Sequence, residues 1–113
     1  MMANNLESTI NKIGHEISQV LKEQEINKLL GVLANDGVFA MWIYVRSKKD
    51  IDENKLMEKI KPIFSYVKEM ESDGFQKYFE ELSKNLNDLL FFREILEKVL
   101  IYARYHAKAM GDS

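Results

Sequence analysis

His15 and His106 are the only imidazoles in the chain, and imidazole is both the commonest metal ligand and the commonest general base. The two lie far apart in sequence. Apart from Glu16 beside His15, neither has an acidic neighbour at metal-ligand spacing, so no metal role is expected of them and each reads as a surface or partly buried histidine. Asp50-Ile51-Asp52-Glu53-Asn54 has the acidic density of a divalent-cation loop, but it lacks the glycine and the distal acid of a calcium loop. Helix capping explains it instead. Serine, histidine and aspartate all occur without a Gly-x-Ser-x-Gly elbow, and no glycine loop is built to cradle a phosphate. The chain has no cysteine, which removes thiolate nucleophiles, disulfides and Cys-based metal sites. No catalytic constellation, metal or cofactor is expected, and the role implied is not enzymatic.

Two basic sets remain. Arg46, Lys48 and Lys49 follow directly on Tyr44, at the end of the apolar run Val38–Val45 that holds the only tryptophan, Trp42. Further on, Arg93, Arg104 and Lys108 share one face by helical spacing, with Tyr105 beside them and Glu97 intruding. A cation next to an exposed ring suits a nucleic-acid backbone, because the charge meets phosphate and the ring stacks on a base. A solvated helix face is the plainer reading of the same charges. The cluster Met41, Trp42 and Tyr44 divides similarly between core packing and a protein–protein interface, since a run apolar on every side must be covered on every side.

The elements that would position these residues are helical. Leu6, Ile10, Ile13, Ile17 and Val20 form one stripe at helical spacing. Asn4 and Glu7 offer a capping-box start. Ile26, Leu29, Leu30 and Leu33 resume the stripe after a polar interruption, as part of the same bent helix or of a second one, and Asn35-Asp36-Gly37 ends it. Val38–Val45 has strand-like composition, yet a lone strand would leave its backbone groups unpaired and no second strand is evident, so it reads as a buried helix. Leu56, Ile60, Ile63, Val67 and Met70 predict a helix capped by Asp50 or Asp52, and Pro62 kinks it or begins another. Ser72-Asp73-Gly74 breaks the chain, with Asp73 and Gln76 as a new cap. A helix follows through Phe75, Tyr78, Phe79, Leu82 and Leu86. Asn87-Asp88 then starts a last helix from Leu89 to about Met110, closed by Gly111. Its broad apolar face carries Phe92, Ile95, Leu96, Val99, Tyr102, Ala103, His106 and Met110. The fold class is all-α, a bundle of about five helices with one kinked or broken near Pro62, forming a single domain over residues 1–113.

With 113 residues, 46% hydrophobic and 30% charged, the chain has the composition of one globular domain. One proline and five glycines argue against an all-β fold. The net charge of -2 argues against a generally basic nucleic-acid binder, so any such contact would use a local patch. The opening residues show no signal-peptide pattern and no apolar run is long enough to cross a bilayer. A cytoplasmic location is expected.

Taken in order, these features resemble the small helical subunits of archaeal CRISPR effector complexes, the type I-A small subunit and its type III equivalents. Gly37, Tyr44 and Arg46 match the glycine, apolar helix and basic tail of that group. Tyr102, Ala103 and Arg104 match its C-terminal helix. The resemblance implies a non-catalytic antiviral-defence subunit, stacked with copies of itself and other protein subunits along an RNA-guided complex. Its basic edge would face the guide–target duplex or the displaced strand, with no membrane and no small-molecule substrate. The alternative is a helical adaptor or regulator that binds only protein.

Overall fold

In the computed structural model, which describes residues 2–68 and 74–111 and side chains from Leu6 onward, the first apolar stripe forms α1, Met2–Ser18. Ile10, Ile13 and Ile17 are buried, and Leu6 and Val20 pack half-buried beside them. Helix α1 begins ahead of Asn4, so Asn4 lies inside the helix and is not its cap. A tight turn closed by Gln19 N–H to Glu16 O (3.1 Å) and Val20 N–H to Ile17 O (3.0 Å) separates α1 from α2, Glu23–Asp36. These are two helices rather than one bent one. The polar interruption starts the second, because the Lys22 backbone N–H donates to Glu25 Oε1 at 2.9 Å.

Gly37 closes α2 and opens α3. Its N–H donates to Val32 O and Leu33 O at 3.2 and 3.1 Å, and its carbonyl accepts from Met41 N at 3.0 Å. The turn needs φ +97°, a conformation glycine reaches without the steric cost other residues carry. The run beyond it is helix α3, Val38–Ser47, with Val38, Met41, Trp42 and Val45 buried. Strand-like composition yields here because a helix satisfies its own backbone groups.

Asp52 caps α4, Glu53–Ile60, its Oδ1 accepting from Lys55 N at 3.1 Å. The α-helix stops at Ile60 and continues as a 3₁₀ turn, Lys61–Tyr66, with Pro62 in its first turn, where the missing N–H does least harm. Ile63 and Phe64 stay buried in that turn. Met70, Ser72 and Asp73 lie outside the described residues, so the expected cap at Asp73 does too. Helix α5, Phe75–Leu82, follows Gly74, and α6, Leu86–Ala109, follows Asn85, whose Oδ1 accepts from Asp88 N at 3.0 Å. Two expectations change there. Leu86 belongs to α6 rather than to the helix before it, and the last helix starts ahead of Asn87-Asp88. Met110 is exposed rather than part of the apolar face.

Among the described residues the chain therefore has six α-helices, one more than about five, one 3₁₀ turn and no strand. The all-α class holds. Helix α6 is the spine: α1 lies along it most extensively, α2 packs on it and on α3, and the 3₁₀ turn and α5 close its N-terminal half. The radius of gyration is 13.3 Å, close to the ~13 Å of a compact chain this long. No helix among the described residues is long and apolar enough to cross a membrane.

Candidate nucleic-acid interface

The first basic set emerges where α3 ends. The Arg46 guanidinium lies 4.9 Å from the Trp42 ring centroid, and its Nε is 3.7 Å from Glu53 Oε1. It covers the tryptophan and ties α3 to α4. Lys48 holds its Nζ 5.6 Å from the Tyr44 ring centroid while its backbone N–H closes α3 on Val45 O at 3.2 Å. Lys49 is exposed and makes no ion pair among the described residues.

The second set runs along α6 and is largely turned to the fold. Arg93 Nη2 donates to Ala34 O at 2.7 Å, in the last turn of α2, where free carbonyls and the helix dipole favour a cation. Lys108 Nζ is 3.7 Å from Glu23 Oε2, in the first turn of α2. These two contacts fasten α6 antiparallel along α2 at both ends. At a half-exposed site such as Lys108 the pair is worth at most about 1 kcal/mol. Arg104 is different: its guanidinium lies 5.8 Å from the ring of Tyr105, which is 61% exposed. Helical spacing puts Arg93, Arg104 and Lys108 on one side, and of the three Arg93 and Lys108 reach α2, at its two ends.

Two of the expected interface residues are core. Met41 and Trp42 are 0% and 3% exposed. Trp42 packs against Phe39 at 5.8 Å and Phe79 at 5.4 Å between ring centroids. Its Nε1–H is buried with no partner among the described residues, so the ring is held by shape and by Arg46 above it rather than by a hydrogen bond. Tyr44, half-buried, and Tyr105 keep surface. The Tyr102-Ala103-Arg104 stretch also divides by role. Tyr102 donates its hydroxyl to Glu7 Oε2 at 3.4 Å and Ala103 is fully buried against α1, while Arg104, half-buried, lies beside the exposed Tyr105.

Sequence reasoning missed two features. Leu86, Leu90 and Phe91 form an exposed apolar stretch on the first turns of α6, 67%, 50% and 40% accessible. Leu86 and Leu90 stand at i, i+4 spacing, but the sequence reading sets Leu86 in the preceding helix and leaves Leu90 and Phe91 off the apolar face of the last one. The second is His15 and His106, whose rings lie 5.0 Å apart between centroids. Nothing in the sequence signals that meeting, because it depends on how α1 docks on α6. Tyr78 offers no base: burial, with the Asp88 carboxylate adding to it, pushes its phenol well above the ordinary range, and it donates to Phe64 O at 3.4 Å. Among the described residues no three His, Cys, Asp or Glu side chains gather as a metal site.

Compared with known proteins, the chain matches no family model, no curated protein and no solved structure.

Proposed function

We propose that the chain is a non-catalytic small subunit of an RNA-guided CRISPR interference complex of the archaeal type I-A or type III kind. It contacts the guide–target duplex or the displaced strand through Lys48, Lys49 and Arg104, and neighbouring protein subunits through the exposed apolar stretch of α6. The resemblance of the two quoted stretches supplies the assembly. The observation that carries the nucleic-acid contact is Arg104 lying over the exposed Tyr105 ring, a cation and a stacking surface side by side. Lys48 with Tyr44 repeats the pairing at the end of α3. Arg46, Arg93 and Lys108 belong to the same basic sets but serve the fold first, through Glu53, Ala34 and Glu23.

A protein-only adaptor is the second reading. The engagement of Arg46, Arg93 and Lys108 within the chain favours it, as does the apolar stretch Leu86, Leu90 and Phe91.

Salt separates the two. The purified chain is titrated with single-stranded and duplex RNA and DNA at 50 and 200 mM salt, beside a Lys48→Ala, Lys49→Ala, Arg104→Ala variant. Three phosphate contacts predict affinity for duplex DNA falling roughly 40-fold between those concentrations, and the variant losing most of the binding and of the salt slope. Absence of binding to all four ligands, or binding the variant retains in full, overturns the contact assignment and leaves the adaptor.

A further inference from the structure

We propose that His15 and His106 form a two-imidazole site for a divalent transition-metal ion of the zinc class, a clamp between the first and last helices. The rings come from α1 and α6 and meet at 5.0 Å between centroids, with 66° between their planes. A zinc–nitrogen bond of about 2.0–2.1 Å added to a ring radius of roughly 1.1 Å puts the ion about 3.2 Å from each centroid, and a tetrahedral angle at the ion then sets the centroids about 5 Å apart. The separation is that of one ion shared by two imidazoles. The proposal therefore asks for a turn of the His15 ring about its second torsion and no shift of either helix. His15 is exposed, and the second torsion of histidine lies in a broad, shallow well.

The surroundings suit a ligand pair. His106 Nε2 is 2.8 Å from Asn11 Oδ1, an oxygen that can only accept; the neutral tautomer that donates this bond from Nε2 is the one whose Nδ1 has the lone pair a metal needs. A ligating histidine whose other nitrogen donates to a fixed oxygen is the usual outer-shell arrangement, because that bond sets tautomer and ring orientation together. Gln19 stands in the corresponding place for His15, with Nε2 3.5 Å from the His15 Nε2; end-for-end rotation of its amide offers an oxygen instead. The two protein ligands leave positions open on a four-coordinate ion for water or for a donor from a neighbouring molecule.

The site sits on the seam that holds the bundle. Gly14, next to His15, is where α1 comes so near α6 that a methyl group would lie 2.8 Å from Tyr102 Cβ. An ion bridging His15 and His106 binds only when α1 is docked, so it stabilises the folded state by mass action. The inference does not rest on nucleic-acid binding.

The test uses the untagged full chain and zinc chloride, with copper and nickel as further probes. Calorimetric titration is expected to give one ion per chain, and the melting temperature to rise by about 5 °C or more at a hundredfold excess over Kd. His15→Ala and His106→Ala should each weaken binding at least tenfold. Proton NMR of the unaltered chain is expected to show the ring C–H signals of His15 and His106 shifting first and together. Zinc leaving both signals and the melting temperature unmoved overturns the proposal. So does binding of unchanged affinity in the double variant, or a stoichiometry of one ion per two chains.

Discussion

The two halves of α6 are packed by opposite means. In the C-terminal half, α1 approaches because side chains are small. Gly14 faces Tyr102 and Ala103, a Cβ on it would lie 3.0 Å from both Ala103 N and Val99 O, and Ala103 and Ala107 are fully buried. In the N-terminal half the space is filled by rings. Phe92 meets Phe64 at 5.6 Å and Phe79 at 5.9 Å between centroids; Tyr78 stacks on Phe64 at 4.1 Å with 8° between planes, and Trp42 leans on Phe79. One helix thus has a seam that tolerates no added atom and a pile that tolerates no missing one. Substitutions in the two regions should therefore fail in opposite directions of volume.

The largest effect belongs to the pile. Trp42→Ala opens a cavity among Phe39, Phe79 and Arg46 and is expected to cost about 3–5 kcal/mol in chemical denaturation. Trp42→Phe should cost well under half of that. It keeps ring contact with Phe79, and it removes a buried N–H that has no partner among the described residues, so part of the lost volume is offset by the lost desolvation penalty. Equal losses in the two variants would mean that the indole N–H is satisfied in solution and that shape alone does not hold this ring.

The seam gives the intermediate effect and carries its own control. Gly14→Ala is expected to destabilise by about 1–3 kcal/mol, although alanine is the better helix former, because its methyl meets α6 backbone and Tyr102. Gly31→Ala, on the exposed side of α2 with nothing within 4 Å of the new Cβ, should stabilise by up to about 1 kcal/mol through helix propensity. Thermal melts of the two alanine variants should move in opposite directions. If both rise, α1 rides on α6 more loosely than the seam implies.

Legibility follows the range of each signal. The stripes of α1, α2, α4 and α6 were readable because an amphipathic helix writes its buried face into local spacing. The stop at Gly37 was readable because Asn-Asp-Gly is local chemistry. Val38–Val45 could be read as helix only by elimination, and whether Trp42 was core or interface depended on α5, whose Phe79 covers it. At Pro62 the choice between a kink and a new element stayed open, because apolar spacing continues through the 3₁₀ turn while the α-helical hydrogen bonds do not. Gly14 and the histidine pair were invisible for one shared reason: their meaning is set by a helix at the other end of the chain. The same holds for the basic residues, whose grouping on a face was readable and whose partners Ala34 and Glu23 were not.

The smallest effect tests where the aromatic pile ends. Leu86 and Leu90 lie on the same helix as Phe92, six and two residues before it, yet they remain 67% and 50% exposed. If the pile truly stops at Phe92, Leu86→Gln and Leu90→Gln remove little buried area and each should change stability by no more than about 0.5 kcal/mol. Phe92→Ala in the same series should cost about 3–5 kcal/mol. The measurement is urea unfolding at low protein concentration, repeated at a tenfold higher one. A midpoint that rises with concentration in the unaltered chain but not in the Leu86→Gln, Leu90→Gln double variant would show that a second molecule covers what this fold leaves open, because association stabilises the folded state by mass action.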